Sequence, residues 1–172
     1  MEVGCVTRRL TLYSTVTDSS HNPAPRPTLQ GIFDDVYTLP LSFSPPSSSL
    51  RRIGYQRLAL LFIVFALGAV HSLEVSPTDS SSESYLSLAK RCLSKGDFMR
   101  NNTVAGVQAL NIMGHFYLDM EKGRDGESAW PIWGLVMRII QAVSARTSSR
   151  LVSAYKRWVF IEMVNGGICL LK

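Results

Sequence analysis

Leu58 to Val70 reads LALLFIVFALGAV, thirteen residues without one polar side chain. A run like this must leave water, and its length decides where it goes. A bilayer span needs about 20 apolar residues, more than this run supplies. Arg51, Arg52 and Arg57 before it, and Val70-His71-Ser72 after it, imitate a secretory signal. Such signals begin at the N-terminus, whereas here about 50 residues rich in Pro and Ser come first. The sequon Asn101-Asn102-Thr103 adds little, because that triplet is common by chance. The run is therefore expected to be a buried core helix, and no membrane partner is expected. The alternative is a membrane-anchored or secreted protein that uses Leu58 to Val70.

The flanks of the run differ in character. Residues 1–50 hold six of the eight prolines, and His21 to Thr28 alternates Pro with other residues, which removes donors and opposes helix. This segment is expected to be a disordered lead-in, with one short extended piece around Val36 to Phe43. Beyond the run, Glu74 to Ser82 reads as a loop ending in a helix N-cap, with Glu83 in the first turn. Tyr85, Leu88, Ala89 and Cys92 then repeat at i, i+3, i+4 and i+7, predicting a helix to about Ser94. Gly96 is the expected left-handed C-terminal residue.

Asn102 or Thr103 caps the next predicted helix. Ala105, Ala109, Ile112, Met113, Phe116 and Met120 form one stripe on it; Val107, Leu110, Gly114 and Leu118 form a second. Two apolar faces place this helix inside an assembly, and Gly106, Ala109 and Gly114 allow close neighbours. Glu121 to Ser128 is a polar turn. Ser128 caps the last helix, whose first turn holds Pro131. Trp130, Trp133, Met137 and Ile140 follow at helical spacing and are read as core. The predicted fold is all-α, an antiparallel array of at least four helices between about Arg51 and Ala142.

Charge and chemistry exclude more than they assign. The net charge is +5, but residues 58–142 carry seven basic and eight acidic side chains. The excess lies in residues 1–57, with six basic and four acidic, and in 143–172, with five and one. No continuous basic face is implied. Arg146, Arg150, Lys156 and Arg157 are read as a solvated tail rather than a DNA reader, since base readout needs a groove-entering element. Cys5, Cys92 and Cys169 show no disulfide or zinc spacing with one another or with His21, His71 and His115. His115 reads as a hydrogen-bonded packing residue. The acidic pairs Asp119/Glu121 and Asp125/Glu127 belong to a solvated loop. No catalytic, cofactor-binding or metal-binding residue is assigned, and no enzyme is expected.

Taken in order, Leu67-Gly68-Ala69, Tyr85 to Phe98 and Thr103 to Ala142 resemble the fungal-specific transcription factor domain. This is the middle homology region of the zinc-binuclear-cluster regulators, of the xylanolytic-activator regulatory type. Val107-Gln108-Ala109-Leu110, Ser128-Ala129-Trp130 and Gly134 to Ala142 carry most of the likeness, which spans Tyr55 to Ala142. The resemblance implies a nuclear, all-helical regulatory domain. Its partners would be proteins of the transcription machinery, or further copies of itself. DNA and zinc belong, in that family, to a six-cysteine module that these 172 residues do not contain, so no zinc ligand or base-reading residue is carried over.

The likeness ends at Ala142, where Val143 to Arg150 departs from the Gly-Leu-His-Arg-like turn of the family. Lys156-Arg157-Trp158-Val159-Phe160-Ile161-Glu162 echoes a downstream segment only weakly. The organisation expected is a lead-in over 1–50, a partial regulatory domain over 51–142 and an atypical basic tail over 143–172. That tail is read as an artefact of the gene model, from a retained intron or shifted splice, leaving an incomplete domain. An incomplete domain would leave apolar faces open, the Trp130/Trp133 side among them, and favour self-association. A helical-repeat interaction protein is a further alternative, although no repeat of fixed period is found.

Overall fold

The apolar run becomes the central helix. In the computed structural model, which describes residues 24, 26–37, 54–72, 80–121 and 127–146, five helices follow one another. They are α1 (Arg26–Tyr37), α2 (Tyr55–Val70), α3 (Ser81–Lys95), α4 (Val104–Met120) and α5 (Ala129–Arg146). The described residues contain no strand, and the protein is all-α. Helix α2 packs on α1, α3 and α4, while α5 packs on α4. Ala59, Leu60, Leu61 and Ile63 to Leu67 are all essentially buried, and only Phe62, half-buried, interrupts the cover along the middle of α2. Burying each large side chain of this kind contributes about 1.5–3 kcal/mol. No helix among the described residues is long and apolar enough to cross a membrane.

Contacts between helix ends fix the directions. Arg57 near the start of α2 pairs with Asp35 near the end of α1 at 2.9 Å. Gln56 reaches Gly96, just past the end of α3, and Thr103, just before α4. His71 after α2 meets Asp119 near the end of α4 at 2.9 Å. Trp133 in the first half of α5 lies against Gly114 in the second half of α4. Successive helices therefore alternate in direction, the predicted antiparallel array, with α2 and α4 running parallel side by side.

Helix α1 was not anticipated. The lead-in reading covers it, and Val36, placed in an extended piece, is helical; residues 38–43 lie outside the described residues. Two local facts account for the correction. Pro27 is the second helical residue, where its missing N–H has no intrahelical acceptor to lose. Leu29, Ile32, Phe33 and Val36 then recur at i, i+3, i+4 and i+7, and the first three are buried in the common core.

The end of α3 corrects a second expectation. Gly96 has φ −76° and is not left-handed; the left-handed residue is Asp97, with φ 46°. The Phe98 N–H donates to Leu93 O at 3.4 Å and the Asp97 N–H to Ser94 O at 3.1 Å. This is the Schellman pattern, with Asp97 in the position glycine usually takes and Phe98 packed back on the core. Glycine at 96 serves space instead, because a Cβ there would stand 2.8 Å from Gln56 Cγ. The start of α3 also moves: Ser80 is the capping position and Ser81 the first helical residue, two residues before the sequence signal.

Thr103 caps α4 as expected, its hydroxyl accepting from the Gly106 N–H at 3.2 Å. Both apolar stripes hold, since Gly106 to Gly114 is buried without interruption, but Met120 at the end of the first is 43% exposed. On α5 the core face runs through Ala129, Trp133, Val136, Ile139 and Ile140. Trp130, assigned to the core by spacing, is 41% exposed. It lies about 100° around the helix from Ala129 and about 60° from Trp133, off the face along which Ala129, Trp133, Val136 and Ile140 are buried.

Candidate interaction surface

Gln56 is the residue around which one end of the array is built. It is 5% exposed and stands two residues before the apolar run, with Arg57 between. Its amide nitrogen donates to Gly96 O at 2.9 Å and to Asn101 O. Its Oε1 accepts from the Thr103 N–H at 3.0 Å and from the Thr103 hydroxyl at 2.6 Å. All four hydrogen-bonding positions of the side chain are used, which is what makes a buried amide tolerable. Gly96 and Gly106 leave room for it: a Cβ at Gly106 would lie 2.2 Å from Oε1.

The same clamp joins the three chain segments that carry three large exposed apolar residues at this end. Tyr55 adjoins Gln56, Met99 lies between the bonded carbonyls of Gly96 and Asn101, and Val104 follows Thr103. They are 50%, 61% and 69% exposed. The Lys95 ammonium stands over the Tyr55 ring, 6.0 Å from its centre, and Arg100 is exposed in the same loop. Apolar side chains held out by a rigid buried clamp, with basic groups at the rim, form a surface suited to contact with another macromolecule. The sequence reading passed over Gln56, Tyr55 and Met99. An uncharged polar residue within a turn of the all-apolar run was the available signal for the first; the other two carry none without the fold.

The opposite end has the complementary character. It gathers the end of α2, the start of α3, the end of α4 and the start of α5. Glu83, Asp119 and Glu127 are exposed there and Glu121 half-buried, with exposed Met120 and Trp130 among them. Asp119 takes part in the pair with His71. Trp130 is held edge-on against buried Trp133, their ring centres 5.6 Å apart. The open Trp130/Trp133 side expected from the sequence is thus Trp130 alone.

The remaining candidates are dispersed. His115 is half-buried, with its ring edge-on to Trp133 at 5.3 Å. Cys92 is partly buried against the core, and desolvation pushes its thiol pKa up despite Lys95 and Arg91 nearby. A protonated thiol at neutral pH is a poor nucleophile and a poor metal ligand. Among the described residues no three His, Cys, Asp or Glu side chains gather as a metal-holding group. Cys5, Cys169, His21, Asp125, Arg150, Lys156 and Arg157 lie outside the described residues.

Asn111 is the unusual polar residue of the interior. It is 0% exposed, and neither its amide nitrogen nor its amide oxygen has a hydrogen-bond partner. Its backbone carbonyl accepts from the Trp133 indole at 3.4 Å, which puts it on the seam between α4 and α5. Compared with known protein families, with curated proteins and with solved structures, the chain matches none.

Proposed function

We propose that this chain is a protein-contact module, the regulatory domain of a fungal transcription factor of the zinc-binuclear-cluster type. Two things support the reading: the ordered likeness of Tyr55 to Ala142 to that domain, and the all-helical array those residues form. The observation that carries the contact role is the exposed Tyr55, Met99 and Val104 set around buried Gln56. The module works in the nucleus by binding proteins, and recognition of DNA and use of zinc fall to the family's six-cysteine module.

Fusing the chain to an unrelated DNA-binding domain, beside a reporter in a fungal host, tests this. The fusion is expected to change reporter output, and the triple variant Tyr55→Ser/Met99→Ser/Val104→Ser to abolish the change while leaving the helical circular-dichroism signal intact. An inert fusion, or delivery of a fluorescently tagged chain to the secretory pathway, contradicts the reading. So does sub-micromolar binding of the isolated chain to random duplex DNA at physiological salt.

A further inference from the structure

Five of the six large apolar side chains left exposed among the described residues lie at the two ends of the array, with Leu88 on α3 the exception. Tyr55, Met99 and Val104 mark one end; Met120 and Trp130 mark the other. Along α4 these ends, at Val104 and Met120, stand about 24 Å apart at 1.5 Å of rise per residue. The rims differ in charge. At the first end Lys95 and Arg100 border the apolar patch, with Asp97 between them. Asp34 and Asp35 belong to the α1 side, bound by Gln30 and Arg57. At the second end Glu83, Asp119, Glu121 and Glu127 carry four carboxylates from two helix termini and the turn before α5, and His71 faces one of them.

We propose that the occupant of the Tyr55/Met99/Val104 surface is the Met120/Trp130 end of a second copy of this chain, docked head to tail. The inference rests on the contact role proposed above and names its partner. Symmetric pairing is disfavoured at both ends: it sets Lys95 and Arg100 against themselves at one, and four carboxylates against themselves at the other. Only the mixed arrangement covers the exposed apolar residues of both ends while matching opposite charges. Because donor and acceptor ends point in opposite directions, the contact does not close on itself and generates linear chains.

Sedimentation velocity of the full chain across a concentration series, at low and at high salt, reads this out. Oligomers that lengthen with concentration and shorten in high salt are expected. Lys95→Glu/Arg100→Glu makes both ends acidic, and Glu121→Lys/Glu127→Lys sets two ammoniums against the two remaining carboxylates, Glu83 and Asp119, and cancels the acidity of the second end. Each variant alone is expected to sediment as a monomer, and an equimolar mixture of the two to associate again. Trp130→Ser, which changes no charge, is also expected to yield monomers. A wild-type chain that stays monomeric throughout overturns the proposal. Association that persists in both charge variants, or fails to return on mixing, overturns it too. A monomeric wild type whose fusion still controls the reporter through Tyr55, Met99 and Val104 leaves the contact role standing with a different partner.

Discussion

Two buried side-chain amides on neighbouring helices meet opposite fates. Gln56 satisfies four hydrogen bonds and ties three chain segments together. Asn111 satisfies none with its side chain, and an unpaired buried polar group costs about 1–3 kcal/mol. Asn111→Leu keeps the branched four-atom skeleton without the unpaired amide, and its larger volume offsets part of the gain, so it is expected to raise stability by about 1 kcal/mol in urea denaturation. A clear loss of stability would show that the amide is satisfied in solution. Cys92 supplies the pH-dependent test. Burial raises its pKa, so the folded chain holds the thiol proton more tightly than the unfolded chain does. Its contribution to stability is full below the unfolded thiol's pKa and is lost as pH rises through the folded value. In a Cys5→Ser/Cys169→Ser background, iodoacetamide is expected to react with Cys92 more slowly when folded than when unfolded in urea. Equal rates would refute the desolvation.

Between elements, the spacing of α4 and α5 turns on one glycine. A Cβ at Gly114 would lie 2.3 Å from Trp133 Nε1 and 2.7 Å from Cε2, so the indole occupies the space a side chain would need. Gly114→Ala is expected to destabilise the protein by about 1–3 kcal/mol through overpacking, and to shift Trp fluorescence to longer wavelength as Trp133 is displaced. Gly134, also mid-helix, has nothing within 4 Å of its would-be Cβ. Gly134→Ala is therefore expected to act in the other direction, by roughly 0.5–1 kcal/mol, through backbone entropy alone. Urea titrations of the pair separate a packing role from a propensity effect. Sequence pattern had marked Gly114 as a site of close approach, along with Gly106, and both hold. It could not say that Gln56 and Trp133 are what approach, because neither partner is local in sequence.

For the whole molecule, exposure and charge divide along the helix axes rather than across a face. A net charge of +5 over 172 residues suggested little beyond two basic termini around a neutral middle. Inside that middle, alternating helix directions bring Glu83, Asp119, Glu121 and Glu127 to one end and Lys95 and Arg100 to the other. The middle is neutral as a sum, but its described residues are polar from end to end; Lys122, Arg124 and Asp125 lie outside them. No window of sequence reports this, since the acidic residues that share an end are up to 44 positions apart, from Glu83 to Glu127.

The all-α class, the central burial of Leu58 to Val70, the Thr103 cap and both stripes of α4 could be read from the chain alone. Each follows from local chemistry: a period of 3.6, a capping hydroxyl, a run too short for a bilayer and too apolar for water. The helix Arg26–Tyr37, the exchange of roles between Gly96 and Asp97, the exposure of Trp130 and the clamp at Gln56 required the tertiary structure. In each case a neighbour distant in sequence decides the outcome. The core accepts Leu29, Ile32 and Phe33; Gln56 claims the space beside Gly96; and the packing of α5 buries the Ala129/Trp133 face and leaves Trp130 off it.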